Sequence, residues 1–489
     1  MNAIDYFFEY SKSSENLFLL NKREQISHSG LFKRINLLAA WLNKKVGSGK
    51  NILLNSTNNL FFIQSYLGII KSGNVCIPVN PAGSAKTLEF IISETEPALA
   101  FLQNRFMSSL ENTSISLINE SQLEELLSNN LLPDQSFESE AEDDTLAEII
   151  YTSGSTALPK GVMITHGNLI SNTKSIIEYL NLKDSDKMLV VLPFYYCYGL
   201  SLLHTHIRVG GSIALNNTFM LLGSVISDLK NYKCTGFAGV PSHYQILLRK
   251  TTSFKETNFE HLRYITQAGG KLHTVFIEEF INNFPQILFY VMYGQTEATA
   301  RLSYLPPSNL RKKLGSIGIA IPGVELKVVN PEGKEVAVGE IGEIAAKGGN
   351  IMKGYYKAEE LTSKTLINGY LHTGDLGSMD EDGYIYLVAR KKEIIKVGGE
   401  RVSPKEIEEV IVRIPEVVDC TIEGVYDEVL GEKIKATIVI NDNTDPKMLE
   451  EKIIFECKTK LSSIKVPQLI EFENQVNVSS SGKKVKNQG

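Results

Sequence analysis

What this chain has little of narrows its function before any motif is considered. Its 489 residues hold five cysteines (Cys76, Cys197, Cys234, Cys420 and Cys457), scattered, with no CxxC pair and no histidine at metal-ligand spacing. That excludes a disulfide framework and a structural zinc site, and fits free, mostly buried thiols in a reducing compartment. No apolar run approaches the ~18 residues a membrane-spanning helix needs. The stretch from Met1 to Tyr10 begins acidic and amphipathic, without the basic start, long apolar core or small-residue cleavage site of a secretory signal. A cytoplasmic protein with no membrane span is therefore expected. Basic tracts are also missing, and with a net charge of −6 nothing would steer a nucleic acid. Internal repeats are lacking as well.

One further absence concerns ATP chemistry. A Walker A loop places Gly-Lys-Ser/Thr after four spacer residues from its first glycine. Here Gly154 is followed at that distance by Pro159, Lys160 and Gly161. P-loop kinases and GTPases are thereby disfavoured. Yet Tyr151-Thr-Ser-Gly-Ser-Thr-Ala-Leu-Pro-Lys-Gly161 has six Gly, Ser or Thr residues among its eleven, and one Lys. Apolar segments on either side, Leu146–Tyr151 and Gly161–Thr165, read as strands. Such a loop offers free backbone N–H groups, hydroxyl donors and a point cation, which together match a polyphosphate. The alternative reading of the same composition is a Ser/Gly hairpin turn without a ligand.

Further motifs follow in order: Tyr293-Gly-Gln-Thr-Glu297, Tyr370-Leu-His-Thr-Gly-Asp375, Arg390-Lys-Lys-Glu-Ile-Ile-Lys396, Val397-Gly-Gly-Glu-Arg-Val-Ser-Pro404 and Ser481-Gly-Lys483. In sequence, spacing and order they resemble the AMP-forming adenylating superfamily of acyl-CoA synthetases, adenylation domains and luciferases. The resemblance runs from the Asn80-Pro-Ala region to the last few residues.

The chain is long enough for two or more domains, and its 43% apolar and 22% charged residues are those of a globular protein. Helical spacing over roughly 31–46 and 60–73, strands at Asn51–Asn55 and Val75–Val79, and later alternation through Met188–Leu192, Ser212–Leu215, Gly236–Val240 and Ile287–Met292 predict α/β layers. Pro78 would confine its strand to an edge or end it early. Acidic residues 134–144 read as a solvated connector, and Thr165 as the cap of a helix to about Leu180. From Gly339 the texture turns to short strands and Gly-rich turns, predicting a small β-rich subdomain. Ser403-Pro404 with Glu406 reads as a capping box opening a helix. A further helix over about 447–461 completes an α+β lid of about 100 residues. The expected division is a domain over 1–390 holding the ATP and acid sites, and a mobile lid over 391–489.

The resemblance implies roles, residue by residue. Thr152, Ser153, Gly154, Ser155, Thr156 and Lys160 would hold the β- and γ-phosphates, with Ala157 where the family usually has Gly. Tyr293 would pack on adenine, Thr296 would contact the α-phosphate, and Glu297 would help hold Mg²⁺, which favours a carboxylate plus phosphates. Gly269-Gly270-Lys271 resembles the adenine-facing turn. Asp375 would accept both ribose hydroxyls, Arg390 would be a second ribose or phosphate contact, and Lys392 matches the hinge. Lys483 would be the catalytic adenylation lysine, acting with Glu297 and Thr152. Tyr196, Cys197, Ser242 and Thr299 are candidate lining of the acid pocket, or plain core. No Asp occurs between Leu192 and Leu203 to pair an α-ammonium, which argues against ordinary α-amino acids.

Three readings compete. The first is a carboxylic acid–thiol ligase using ATP, Mg²⁺ and CoA. The second loads the phosphopantetheine of a separate carrier protein in trans. The third is an inactive acyl- or nucleotide-binding homologue, against which the joint presence of Thr152, Glu297, Asp375 and Lys483 argues.

Overall fold

The computed structural model describes all residues except 23, 111–112, 129–136, 140, 153–157, 391–392, 429, 442–443 and 477–489. Two large sheets enclose a layer of helices, and a third, smaller sheet belongs to the C-terminal lid. The first sheet orders its strands Gly354–Tyr355, Lys160–Thr165, Leu146–Thr152, Val75–Val79, Asn51–Asn55, Leu99–Leu102 and Leu117–Ile118. The second has a parallel centre of Ser212–Leu215, Lys187–Val190, Gly236–Gly239, Tyr264–Gln267 and Leu288–Tyr293. From there it continues antiparallel through Ser303–Leu305 and Ser316–Ala320 into Ile385–Arg390, Tyr370–Met379, Gly342–Gly348 and Val324–Val329. The predicted β-rich subdomain thus exists but starts before Gly339, because its inner strand Ser316–Ala320 pairs directly with the main sheet's return strand.

Local chemistry explains the helices between the sheets. Leu60–Lys71 is apolar on nearly every face and buried from Phe61 onward, as a helix must be when sheets cover both its sides. His166–Leu180 starts at the predicted Thr165, whose hydroxyl accepts from Asn168 N while the Asn168 side chain accepts from Thr165 N. Ala3–Phe8 lays Ala3, Ile4, Phe7 and Phe8 into the core they share with both sheets.

Two expectations fail for physical reasons. Pro78 lies in an interior strand, not at an edge: Val75–Val79 pairs along its length with Asn51–Asn55, whereas its ladder with Leu146–Thr152 registers at Cys76↔Glu148. A residue without an N–H is tolerated where the ladder on that side is short. The capping box at Ser403 does not form either. Ser403 Oγ donates to the Val388 carbonyl, and the Glu406 carboxylate accepts from Lys465, so tertiary partners replace the local ones. Pro404 does open the helix Pro404–Ile411. The acidic connector falls partly outside the described residues.

The lid sheet orders Glu400–Val402, Ile395–Val397, Gly431–Ile440 and Val417–Asp427, with Leu469–Glu473 parallel to Gly431–Ile440. Gly398 and Gly399, both at positive φ (56° and 87°), make the two-residue turn between its first strands. The lid packs on the main domain through an apolar cluster that joins Ile246 to Val418 and Val439, and through polar ties. Gln245 Nε2 donates to Asp419 Oδ1 at 2.9 Å, and Arg249 Nη1 reaches the carbonyls of Val412, Ile414 and Val417. Glu409 accepts from Thr274 N at 3.1 Å and pairs with His273 Nδ1 at 3.0 Å.

A buried polar trio sits under the phosphate hairpin. Tyr66 Oη donates to Glu148 Oε2 at 2.9 Å and lies 2.9 Å from His204 Nε2, whose ring stacks on Phe7. Burial pushes the Glu148 carboxyl up to about 8, against the lowering effect of the Tyr66 hydrogen bond. Burial also holds His204 down at about 3, so the imidazole is neutral. The folded state therefore retains the Glu148 proton from its ordinary value of 4.5 up to about 8, and stability falls with rising pH across that window, by about 1.4 kcal/mol per pH unit. Glu148→Gln is expected to flatten that slope, read as a smaller difference between urea midpoints at pH ~5 and ~8. An unchanged slope would assign the dependence to another group.

Candidate active site

The phosphate hairpin is built as its flanks require. Leu146–Thr152 and Lys160–Thr165 pair antiparallel out to Thr152↔Lys160, so these two residues face each other at its mouth. Ser153, Gly154, Ser155 and Thr156 lie outside the described residues. Lys160 Nζ sits 5.5 Å from the centre of the Tyr355 ring, and the Tyr355 hydroxyl donates to Glu297 Oε1 at 2.8 Å. Burial, and then the Glu297 carboxylate, pushes the Tyr355 phenol up, so it remains a donor. A chain of contacts thus joins the hairpin lysine to the proposed metal ligand. Sequence reasoning missed Tyr355; the available signal was Gly354-Tyr-Tyr356 following a strand-ending turn.

A second cluster forms where two motifs meet. Tyr293, the last residue of its strand, donates its hydroxyl to Asp375 Oδ2 at 2.7 Å, while Arg390 Nε donates to Oδ1 at 3.0 Å. Asp375 and Arg390 are register partners on adjacent antiparallel strands. Burial, followed by the Asp375 carboxylate, pushes the Tyr293 phenol up. Each carboxylate oxygen accepts more than one hydrogen bond, so Asp375 retains capacity for a diol.

Beside the turn that follows Tyr293 lies a cleft with about 490 Å³ of empty space, part of it open to solvent. Its walls come from Leu192–Gly199, from Val240 with Ala268 and Gly269, and from the turn 294–301. Tyr196, Cys197, Gly269 and Thr296 all line it, and Cys197 Sγ lies 3.6 Å from Thr296 Oγ1. Gly270 is exposed, its carbonyl accepting from Gln267 Nε2 at 2.7 Å. Lys271 sits instead among Glu409, Lys405 and Glu408 of the lid helix; burial holds its amine below the ordinary lysine value, with Glu409 opposing.

Two pocket candidates lie elsewhere. Thr299, at φ 61°, is buried and donates its hydroxyl to the Asn350 carbonyl at 2.6 Å, which fixes a strained turn behind the cleft. Ser242 is buried in the first turn of the helix Pro241–Arg249. Neither is among the lining residues. Tyr198 and Arg301 line the cleft and were missed. The signal for Arg301 was a lone charge in the otherwise uncharged run Ala298-Thr-Ala-Arg-Leu302. Lys392 and Lys483 lie outside the described residues.

Glu297 supplies one carboxylate beside Thr296 and Lys160. That donor set suits a hard divalent cation carried in on phosphates, which magnesium prefers to an all-protein cage. Among the described residues, no helix is long and apolar enough to cross a membrane.

Fold and cleft together define a two-domain α/β nucleotide-binding architecture with a phosphate hairpin. A family model described as AMP-binding enzyme matches residues 9–356, and one described as its C-terminal domain matches 406–483. The chain belongs to the AMP-forming adenylating superfamily. It is 29% identical to an oxalate–CoA ligase of Arabidopsis thaliana, over 94% of this chain and 91% of that protein. It is likewise 29% identical to a long-chain-fatty-acid–CoA ligase of Escherichia coli O157:H7, over 95% and 89%. The crystal structure of ATP-bound MatB from Rhodopseudomonas palustris superposes with a TM-score of 0.86 at 25% identity, covering 98% of this chain and 96% of that one.

The cleft wall depends on one close approach. A Cβ on Gly199 would fall 2.2 Å from the Pro193 carbonyl oxygen, a clash that backbone must move to relieve. Gly199→Ala is expected to destabilise the fold by about 2–3 kcal/mol and to weaken acid binding, checked by denaturant unfolding and substrate KM. Unchanged stability would mean that the Leu192–Gly199 wall is looser than its packing indicates.

Proposed function

We propose that the protein is an AMP-forming acid–thiol ligase: a carboxylate attacks the α-phosphate of ATP, pyrophosphate leaves, and a thiol then takes the acyl group from acyl-AMP. The observation that carries this reading is convergence. Four separate motifs are linked through the segment Tyr293–Glu297: Tyr293 meets Asp375, which Arg390 also contacts, Glu297 is joined through Tyr355 to Lys160 at the mouth of the hairpin, opposite Thr152, and Thr296 between them lines the cleft.

Bringing a carboxylate onto a phosphate joins two anions, so the site needs oriented donors and cations. Lys160 and the hairpin N–H groups would take the β- and γ-phosphates, and Thr296 the α-phosphate. Glu297 would hold Mg²⁺, which offsets phosphate charge when bound. Asp375, oriented by Tyr293 and Arg390, would accept from the ribose hydroxyls. Lys483 would bridge the carboxylate and α-phosphate from the lid tail, and the lid, proposed to begin at residue 391 with Lys392 as hinge, would turn between half-reactions.

CoA is the proposed acceptor, since Val397-Gly-Gly-Glu-Arg-Val-Ser-Pro-Lys-Glu-Ile407 resembles the acyl-CoA synthetase version of this loop and the relatives named above are CoA ligases. A carrier-protein phosphopantetheine is the second reading. Those relatives' names span oxalate and long-chain fatty acids, so kinship does not carry over the acid.

A pyrophosphate-release screen over aliphatic, aryl, hydroxy and amino acids, with CoA and with carrier protein, is expected to yield AMP and pyrophosphate; ADP as product would refute the reading. Lys483→Ala should slow adenylation by ~10²–10³ while transfer from preformed acyl-AMP changes less than about tenfold, or ~1.4 kcal/mol. Lys392→Pro should do the reverse. Equal losses in both half-reactions for Lys483→Ala would contradict the two-state lid.

A further inference from the structure

Arg301 lines the acid cleft, is 2% exposed, and is the one formally charged side chain among the lining residues. Its Nη1 donates to the neighbouring Ala300 carbonyl at 3.2 Å, and its guanidinium carbon lies 4.0 Å from the centre of the Tyr198 ring. Its Nε is buried without a hydrogen-bond partner. Tyr179 shares a side-chain hydrogen bond with Arg301, but burial pushes the Tyr179 and Tyr198 phenols up, so both remain neutral and neither is a counter-ion. Gln295, also on the cleft wall, has a buried Nε2 without a partner. Two unsatisfied buried donors, one of them cationic, converge on one cavity. An aromatic face offsets only part of the cost of an unpaired buried guanidinium. What is missing is an acceptor with negative charge.

We infer that the acid activated by this protein carries a second carboxylate, bound by Arg301 with Tyr198 behind it and Gln295 as an additional donor. The inference rests on the carboxylate-activating reading above. Reach limits the size of the acid. The turn 294–301 closes so tightly that a Cβ on Gly294 would lie 2.8 Å from Arg301 Cα, and Thr296 within that turn lines the same cleft. Two carboxylates, one reacting near Thr296 and one held at Arg301, are therefore separated by a few carbons only. The guanidinium fork donates to both oxygens of a carboxylate at once. It also repels an α-ammonium, which agrees with the missing Asp between Leu192 and Leu203. A monocarboxylic acid of equal length would cover Arg301 with apolar chain and leave its Nε unpaired and its charge uncompensated, and sites built this way discriminate strongly.

The test uses matched pairs, succinate against butyrate and glutarate against valerate, in pyrophosphate release by the full-length wild type, Arg301→Met and Arg301→Lys. For the wild type, kcat/KM is expected to favour the diacid by about 10²–10³. Arg301→Met, apolar and of similar length, should erase that preference, chiefly through the diacid KM, and improve the monoacid. Arg301→Lys should keep part of it. In a thermal-shift assay the preferred diacid should raise the melting temperature of the wild type but not of Arg301→Met. Equal or reversed preference in the wild type overturns the inference, as does an equal loss on both members of a pair in a folded Arg301→Met, which would mark a structural arginine. If only acids without a second carboxylate release AMP, the inference fails while the ligase reading stands. ADP in place of AMP, or no active acid at all, removes both.

Discussion

The site depends on one constraint: the chain leaving the strand Leu288–Tyr293 must turn back on itself within a few residues. Leu302 N donates to the Tyr293 carbonyl at 2.8 Å, and Gly294 meets the Ala300 carbonyl so closely that no Cβ fits between them. Thr296, Glu297 and Arg301 all sit on this return. Asn350 clamps it from behind, accepting from Thr299 through its carbonyl and donating from Nδ2 to the Arg301 carbonyl at 2.7 Å. A residue larger than glycine at 294 would spread the turn and separate Thr296 and Glu297 from Arg301.

The electrostatics of the interior divide accordingly. Beneath the phosphate hairpin, Glu148, Tyr66 and His204 share protons in a neutral network, because a dry interior penalises charge more than it penalises hydrogen bonds. Elsewhere charge is kept: Asp375 with Arg390, Glu297 beneath Tyr355, and, in the cleft, Arg301 over Tyr198. The first group stiffens a scaffold. The second is where the proposed function places the charge of a substrate.

Lid docking follows a third logic. Arg249 satisfies three carbonyls where the helix Pro404–Ile411 runs out, and burial notwithstanding, hydrogen bonds from His273 and Thr274 hold the Glu409 carboxyl at about 2. Helix ends leave carbonyls short of partners, and here a cation of the main domain supplies one. Polar ties of this kind give a definite docked position.

Sequence alone determined what depends on neighbours along the chain. The capped helix at Thr165, the strand Asn51–Asn55, the hairpin flanks and the adenylating motifs were legible because caps, periodicity and Gly-rich loops act over a few residues. Tertiary structure decided the rest. Pro78 entered an interior strand because the ladder beside it is short, and Ser403 and Glu406 took partners from Val388 and Lys465 rather than from each other. Thr299 was drawn behind the turn, whereas Tyr355 and Arg301, 54 positions apart in the sequence, came to the site through pairing and turn closure. Which side chain faces a cleft is set by contacts between segments far apart in the chain, and local sequence carries no record of them.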